Sequence, residues 1–146
     1  MDVVAEVEIA RPAQEVFDYL ADGEKMPRWM KEFTSVEKVG EGPIGLGTEF
    51  RYHDKRGNDS TYTLSEYQPP SRLGWHGAEV KMPGGSVTPD GYYAIHEHDG
   101  HTHVEMHMQP QVRGMAKLMS PMMAMGMRRS SKQYVQLLKR DLEQQA

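Results

Sequence analysis

The chain has 146 residues, with 17 basic against 21 acidic residues for a formal net charge of −4, and no cysteine. The lack of cysteine excludes disulfides, thiolate metal sites and cysteine nucleophiles, and fits a reducing compartment. The acidic balance leaves no global basic field to attract nucleic acid.

Residues 2–10 alternate, with Val3, Ala5, Val7 and Ile9 on one side and Val4, Glu6 and Glu8 on the other, the pattern of a half-buried first strand. This opening carries acids early and no basic start before an apolar run, so no signal peptide is expected and the chain reads as cytoplasmic. Arg11-Pro12 ends the strand. Proline suits a first helical turn, so a helix is predicted over 12–21 with Val16, Phe17 and Leu20 as its apolar stripe. Asp22-Gly23 stops it, and a second short helix is expected over 25–31, anchored by Trp29.

Strands are predicted over 33–39, 48–54 and 61–67. The connection 40–47 is glycine-rich, and 55–58 turns the chain. Thr48, Phe50 and Tyr52 share one face, and Tyr62 and Leu64 are the inner pair of the next strand. Pro69-Pro70 ends it, and a short strand over 72–76 keeps Leu73 and Trp75 in phase. Segment 80–90 holds two prolines and two glycines and is expected to be a loop. Asp99-Gly100 is a strong hairpin turn within 91–112. It pairs His98 with His101 and His96 with His103. Tyr93, Ile95, Thr102, Val104, Met106 and Met108 then face inward, and His96, His98, His101, His103, Glu105 and His107 face outward.

The last third is rich in helix formers, and six of the twelve methionines fall within 115–127. That run, broken by Lys117, Ser120 and Pro121, is too short to cross a bilayer, which takes about 20 residues, so no membrane insertion is expected. Pro121 suits a first turn, which predicts a helical lead-in over 112–120, a break, and a long helix over 121–144. Its inward stripe is Met123, Met127, Tyr134, Leu138 and Leu142, with Ser131 on the same face. Ser131 is either a small residue that lets the sheet approach or a hydroxyl for a ligand. Met122 and Met125 are left to a pocket entrance or a dimer contact. The element order predicts an α+β fold, an antiparallel sheet with helices gathered on one face.

The ordered set Ile9-Ala-Arg-Pro-Ala-Gln-Glu-Val-Phe-Asp-Tyr-Leu20, Met26-Pro-Arg-Trp29, Gly45-Leu-Gly-Thr48, Leu64-Ser-Glu-Tyr-Gln-Pro-Pro70 and Leu137-Leu-Lys-Arg-Asp-Leu142 resembles the SRPBCC superfamily. These are the START/Bet v 1-like helix-grip proteins, including polyketide cyclase/dehydrase-like domains. The resemblance covers essentially the whole chain as one domain, 1–146. It implies a curved sheet of about seven strands gripping the C-terminal helix, two short helices after the first strand, and a hydrophobic cavity between sheet and helix. It implies binding of lipids, polyketides, quinones or similar apolar molecules. Some members catalyse cyclisation or dehydration, but the superfamily has no universal catalytic residue.

Gly40-x-Gly42-x-x-Gly45 matches the dinucleotide fingerprint by letter, but Pro43 lies inside it and a strand rather than a helix follows, so it reads as a strand-connecting loop. The hairpin histidines His96, His98, His101 and His103 lie about 5 Å from their cross-strand neighbours, near enough to share a metal. On a solvated outer face such a site is expected to lack a dry shell and orienting partners, so no metal and no cofactor is expected. The methionines read as adaptable apolar filler rather than copper ligands.

The ligand is expected near Trp29, Phe50, Tyr52, Tyr62, Leu64, Trp75, Tyr93, Met106, Met108, Met123, Met127 and Ser131. Candidates for proton transfer are Tyr52, Asp54, Tyr62, Glu66 and Tyr93, with Glu97 and Tyr134 as further inward groups; the same acids could instead satisfy backbone amides. The first expectation is a binder of a small hydrophobic ligand, monomeric or homodimeric. A polyketide cyclase or dehydratase is the enzymatic alternative, supported by a carboxylate or imidazole deep in the pocket. A partner-binding module of the Hsp90-activator type is the third, and needs an exposed apolar patch.

Overall fold

Alternation in the first strand survives folding. In β1 (Val3–Ile9) the residues Val3, Ala5, Val7 and Ile9 are buried, and those between are exposed. The structure is a computed structural model describing residues 1–145. Helix α1 (Ala13–Ala21) follows and buries Val16, Phe17 and Leu20. Its first free N–H, on Ala13, donates to the Glu97 carboxylate at 2.6 Å, so a distant strand caps it. The expected second helix is a 3-10 segment, Gly23–Arg28. Pro27 lies inside it and offers no N–H for an α-type ladder. Trp29 ends it and is buried.

The main sheet is built from β1, β2 (Phe33–Lys38), β3 (Glu49–Asp54), β4 (Asp59–Gln68), β5 (Arg72–Gly77), β8 (Asp90–His98) and β9 (His101–Met108). All pairs are antiparallel, in the order β1-β9-β8-β5-β4-β3-β2. Helix α2 (Ser120–Gln144) lies across its inner face and buries Ala124, Ser131, Val135, Leu138 and Leu142. This is the helix-grip architecture. The β8–β9 turn has φ of 52° at Asp99 and 79° at Gly100, both positive as a tight two-residue hairpin turn requires. The register pairs His98 with His101 and His96 with His103, as the turn position predicts.

Two expectations fail. Segment 80–90 is not a loop: β6 (Val80–Met82) and β7 (Gly85–Thr88) form a small hairpin. Its turn is Pro83-Gly84, with Gly84 at φ 83°. The predicted helical lead-in begins as a strand, β10 (Gln111–Gly114), which pairs with β7 to complete a second, three-stranded sheet. Only then does a 3-10 segment, Met115–Met119, lead into α2. The turn residues that argued for a loop are the punctuation of strands too short to alternate visibly.

Candidate functional site

A cavity of about 590 Å³ lies between the curved sheet and α2, within the range of small-molecule sites. Strand β3 contributes Tyr52, β4 contributes Tyr62 and Leu64, and β5 contributes Leu73 and Trp75. Tyr93 comes from β8, and Met106 and Met108 from β9. Met123, Met127, Ser131 and Tyr134 close it from α2. Period-two alternation puts the strand residues on one face, and the 3.6-residue turn does the same for the helix.

Two residues expected in the lining stand behind it. Phe50 is buried and stacks on Tyr62 at 5.3 Å, and Trp29 is buried edge-on to Tyr93 at 6.5 Å. They buttress the two phenols. Leu20, Met26, Met30 and Phe33 line one end and were not anticipated. Met26 and Met30, four apart across Trp29, were the available signal. Gly23 leaves room for the Tyr62 ring, because a Cβ there would sit 2.2 Å from the Tyr62 hydroxyl.

The three acids considered for catalysis are engaged elsewhere. The Asp54 carboxylate accepts N–H bonds from Arg56 at 3.0 Å and Asn58 at 2.9 Å in a turn. Slight burial works against its charge, but these bonds, with one from the Asn58 side chain, hold it below the usual carboxylate range. Glu66 pairs with Arg72 at 3.0 Å beside a register shift between Leu64 and Glu66. That irregularity turns Tyr67 inward, edge-on to Phe17 at 5.1 Å. Glu97 caps α1. The charged groups that remain around the cavity sit at its mouth. Glu32 and Arg56 pair at 3.6 Å, and Asp90 pairs with His76 at 3.6 Å.

Inside, the polar groups are hydroxyls. Burial raises the pKa of Tyr62 and Tyr93. Burial also raises that of Tyr52, against a hydrogen bond from Ser60. All three are therefore neutral phenols near pH 7, able to donate and to accept. Among the described residues the Tyr62 and Tyr93 hydroxyls have no protein hydrogen-bond partner, and no sealed side-chain polar atom lacks one. Both residues line the cavity, and the Tyr62 hydroxyl packs against Gly23. The Ser131 hydroxyl instead donates to the Arg128 carbonyl at 3.2 Å within its own helix.

The outer face carries a separate cluster. His96, His98 and His101 are exposed and do not converge. Among the described residues, the group of potential ligand atoms that does converge is Glu6, His103 and Glu105. Unlike the expected bare site, this one has orienting partners: Glu8 accepts from His103 Nδ1 at 2.7 Å, and Glu105 accepts from His107 Nε2 at 2.8 Å. His107 in turn stacks on Tyr92 at 4.4 Å. For His103, partial burial lowers the pKa, but the bonds and charges of Glu8 and Glu6 outweigh it and the net shift is upward. A protonated His103 would direct Nδ1–H to Glu8 and Nε2–H toward Glu6 at 3.5 Å and Glu105 at 3.6 Å, and any cation there would compete with that proton.

A pKa raised in the folded state stabilises below the unfolded value, near 6.5, and that contribution fades as pH rises through the folded value. The urea midpoint is therefore expected to fall between pH 6 and 8.5 in the native chain. His103→Gln should flatten that slope; an unchanged slope would assign it to other groups.

The glycine fingerprint is a loop, with Gly40 and Gly42 at φ 81° and 104°, and it runs into β3 rather than a helix. No described helix is long and apolar enough to cross a membrane.

Comparison with known proteins agrees with this architecture. The family profile for polyketide cyclase / dehydrase and lipid transport matches residues 1–143. No curated protein sequence matches. Among solved structures, the Zhui aromatase/cyclase from Streptomyces sp. R1128 superposes with a TM-score of 0.74 at 18% identity, covering 98% of this chain and 93% of that one. A START superfamily protein from Mycobacterium smegmatis gives 0.74 at 15% identity, covering 98% and 97%. A hypothetical protein from Helicobacter pylori gives 0.78 at 15%, covering 97% and 87%. At these identities the likeness is one of fold. The profile match over nearly the full length, on a seven-stranded sheet that grips a long C-terminal helix, shows that the chain belongs to the polyketide cyclase / dehydrase and lipid transport family.

Proposed function

We propose that the protein binds a small, mainly apolar molecule carrying one or two oxygen acceptors, of the lipid, polyketide or quinone kind, between its sheet and α2. The observation that carries this reading is a mainly apolar chamber of about 590 Å³ with two buried, neutral phenols, Tyr62 and Tyr93, in its lining. Aromatic and methionine walls take up apolar surface of varied shape, and a few fixed donors set orientation. Tyr52, Leu64, Trp75, Met106, Met108, Met123, Met127 and Ser131 complete the lining around the two phenols.

Mass spectrometry under native conditions, on protein purified from its own host, is expected to reveal a copurified apolar compound. A neutral hydrogen bond contributes about 0.5–1.5 kcal/mol, so Tyr62→Phe and Tyr93→Phe should each weaken an oxygenated ligand about 2- to 10-fold. Binding of a plain hydrocarbon dye should change little. Protein that is empty and has no affinity for apolar dyes would count against the reading.

Of the acids a cyclase or dehydratase could use, Asp54, Glu66 and Glu97 are occupied elsewhere and Glu32 and Asp90 are paired with Arg56 and His76, which leaves the phenols. Burial keeps those phenols protonated at neutral pH, so they donate hydrogen bonds rather than abstract protons. That favours binding over catalysis.

A further inference from the structure

Met115, Leu118, Met119, Met122 and Met125 are each between 51% and 78% exposed, an unusual concentration of bare large apolar side chains. They occupy the 3-10 segment Met115–Met119 and the first two turns of α2. On a 3.6-residue turn, Met122 and Met125 lie on the side of α2 opposite the buried Ala124, Ser131, Val135 and Leu138. Arg129 and Lys132 continue that same outer face one and two turns further on, and Arg113, Lys117 and Arg128 flank it; all five are exposed. Among the described residues none of the five forms an ion pair.

Charge is segregated along the chain as well. Residues 106–140 contain seven basic residues and no Asp or Glu, leaving ten basic against 21 acidic elsewhere. An apolar tip ringed by unpaired cations, on an otherwise acidic protein, has the complement of a negatively charged lipid surface. The methionines would enter the headgroup layer, and the cations would meet anionic headgroups. A soluble acidic partner would satisfy the cations without needing five bare apolar side chains. A second copy of the chain would bring the same positive ring against itself.

The patch also adjoins the cavity. Met123, Gly126 and Met127, from the same two turns, line it. We infer that the segment Met115–Met119 and the start of α2 form a docking face for anionic membranes, set at the mouth through which the cavity exchanges its ligand. The exchange clause rests on the ligand-binding reading; the docking does not.

The test is flotation of the full chain with vesicles of phosphatidylcholine alone or with about 30% phosphatidylglycerol, at low and at 0.3 M salt. Docking predicts binding to the anionic vesicles only, weakened about tenfold or more by the salt. Met122→Ser with Met125→Ser, and separately Arg129→Ser with Lys132→Ser, should each reduce it about tenfold. None of these four side chains lines the cavity, so apolar-dye binding and thermal unfolding should be unchanged, which separates loss of docking from loss of the cavity. Absence of vesicle binding, or equal binding to neutral vesicles, overturns the proposal. So does a dimer in sedimentation that Met122→Ser with Met125→Ser dissociates, since a second copy would then own the face.

Discussion

Replacing Phe17 with alanine is expected to lower the unfolding free energy by about 3–5 kcal/mol, the cost of truncating a fully buried aromatic ring whose surroundings cannot collapse. Phe17 has no solvent exposure, and it touches Tyr67 edge-on at 5.1 Å. It holds α1 against the sheet at the place where the β4 irregularity delivers Tyr67 inward. Domains of this size are stable by only about 5–15 kcal/mol. The change should therefore appear as a fall of about 10–20 °C in the melting temperature. Urea unfolding with an unchanged slope would confirm that stability alone has moved. A loss under about 1 kcal/mol would mean that α1 is not part of the core.

The second large effect is expected at Gly91, where an added methyl group has nowhere to go. Its Cβ would lie 2.2 Å from the His107 carbonyl oxygen and 2.4 Å from the Trp75 ring. Trp75 pairs with Gly91 across β5 and β8 and lies over it. The ring could swing away, but the carbonyl belongs to the β8–β9 ladder. Gly91→Ala should therefore cost about 1–3 kcal/mol as overpacking. It should also change ligand binding, because Trp75 is 5.0 Å from Tyr93 and both face the cavity. Loss of stability with unaltered dye affinity would uncouple the two rings.

The main sheet and its inner face were legible because polarity alternates along β1, β3, β8 and β9, and because Asp99-Gly100 fixes the register of the longest hairpin. The small second sheet was not. Its strands are three or four residues long, too short to establish a period, and β7 finds its partner β10 only after the intervening hairpin. Periodicity tells which face a residue takes but not how deep it lies. That is why Trp29 and Phe50 were expected beside the ligand and stand one layer behind it. Glu97 and His103 escaped for another reason: their partners are remote. Glu97 caps a helix 84 residues away, and His103 meets Glu8 across 95 residues. No local pattern announces such pairings. The bulge that moves Glu66 aside does leave a mark, since the apolar spacing lengthens from two residues, Tyr62 to Leu64, to three, Leu64 to Tyr67.

The order of the main sheet leaves two strands, β1 and β2, with one side unpaired. Open backbone groups there would template pairing with another chain. Both sides are instead engaged by side chains from helical segments. Along β1, the Lys139 ammonium donates to the Glu8 carbonyl at 2.8 Å, and the Glu143 carboxylate takes the Ala10 N–H at 2.8 Å. Along β2, Glu24 takes the Lys38 N–H at 3.1 Å. The gripping helix thus does more than roof a cavity. It also covers the end of the β1 edge, so conditions that loosen α2 should expose that edge to pairing with another chain before the interior unravels.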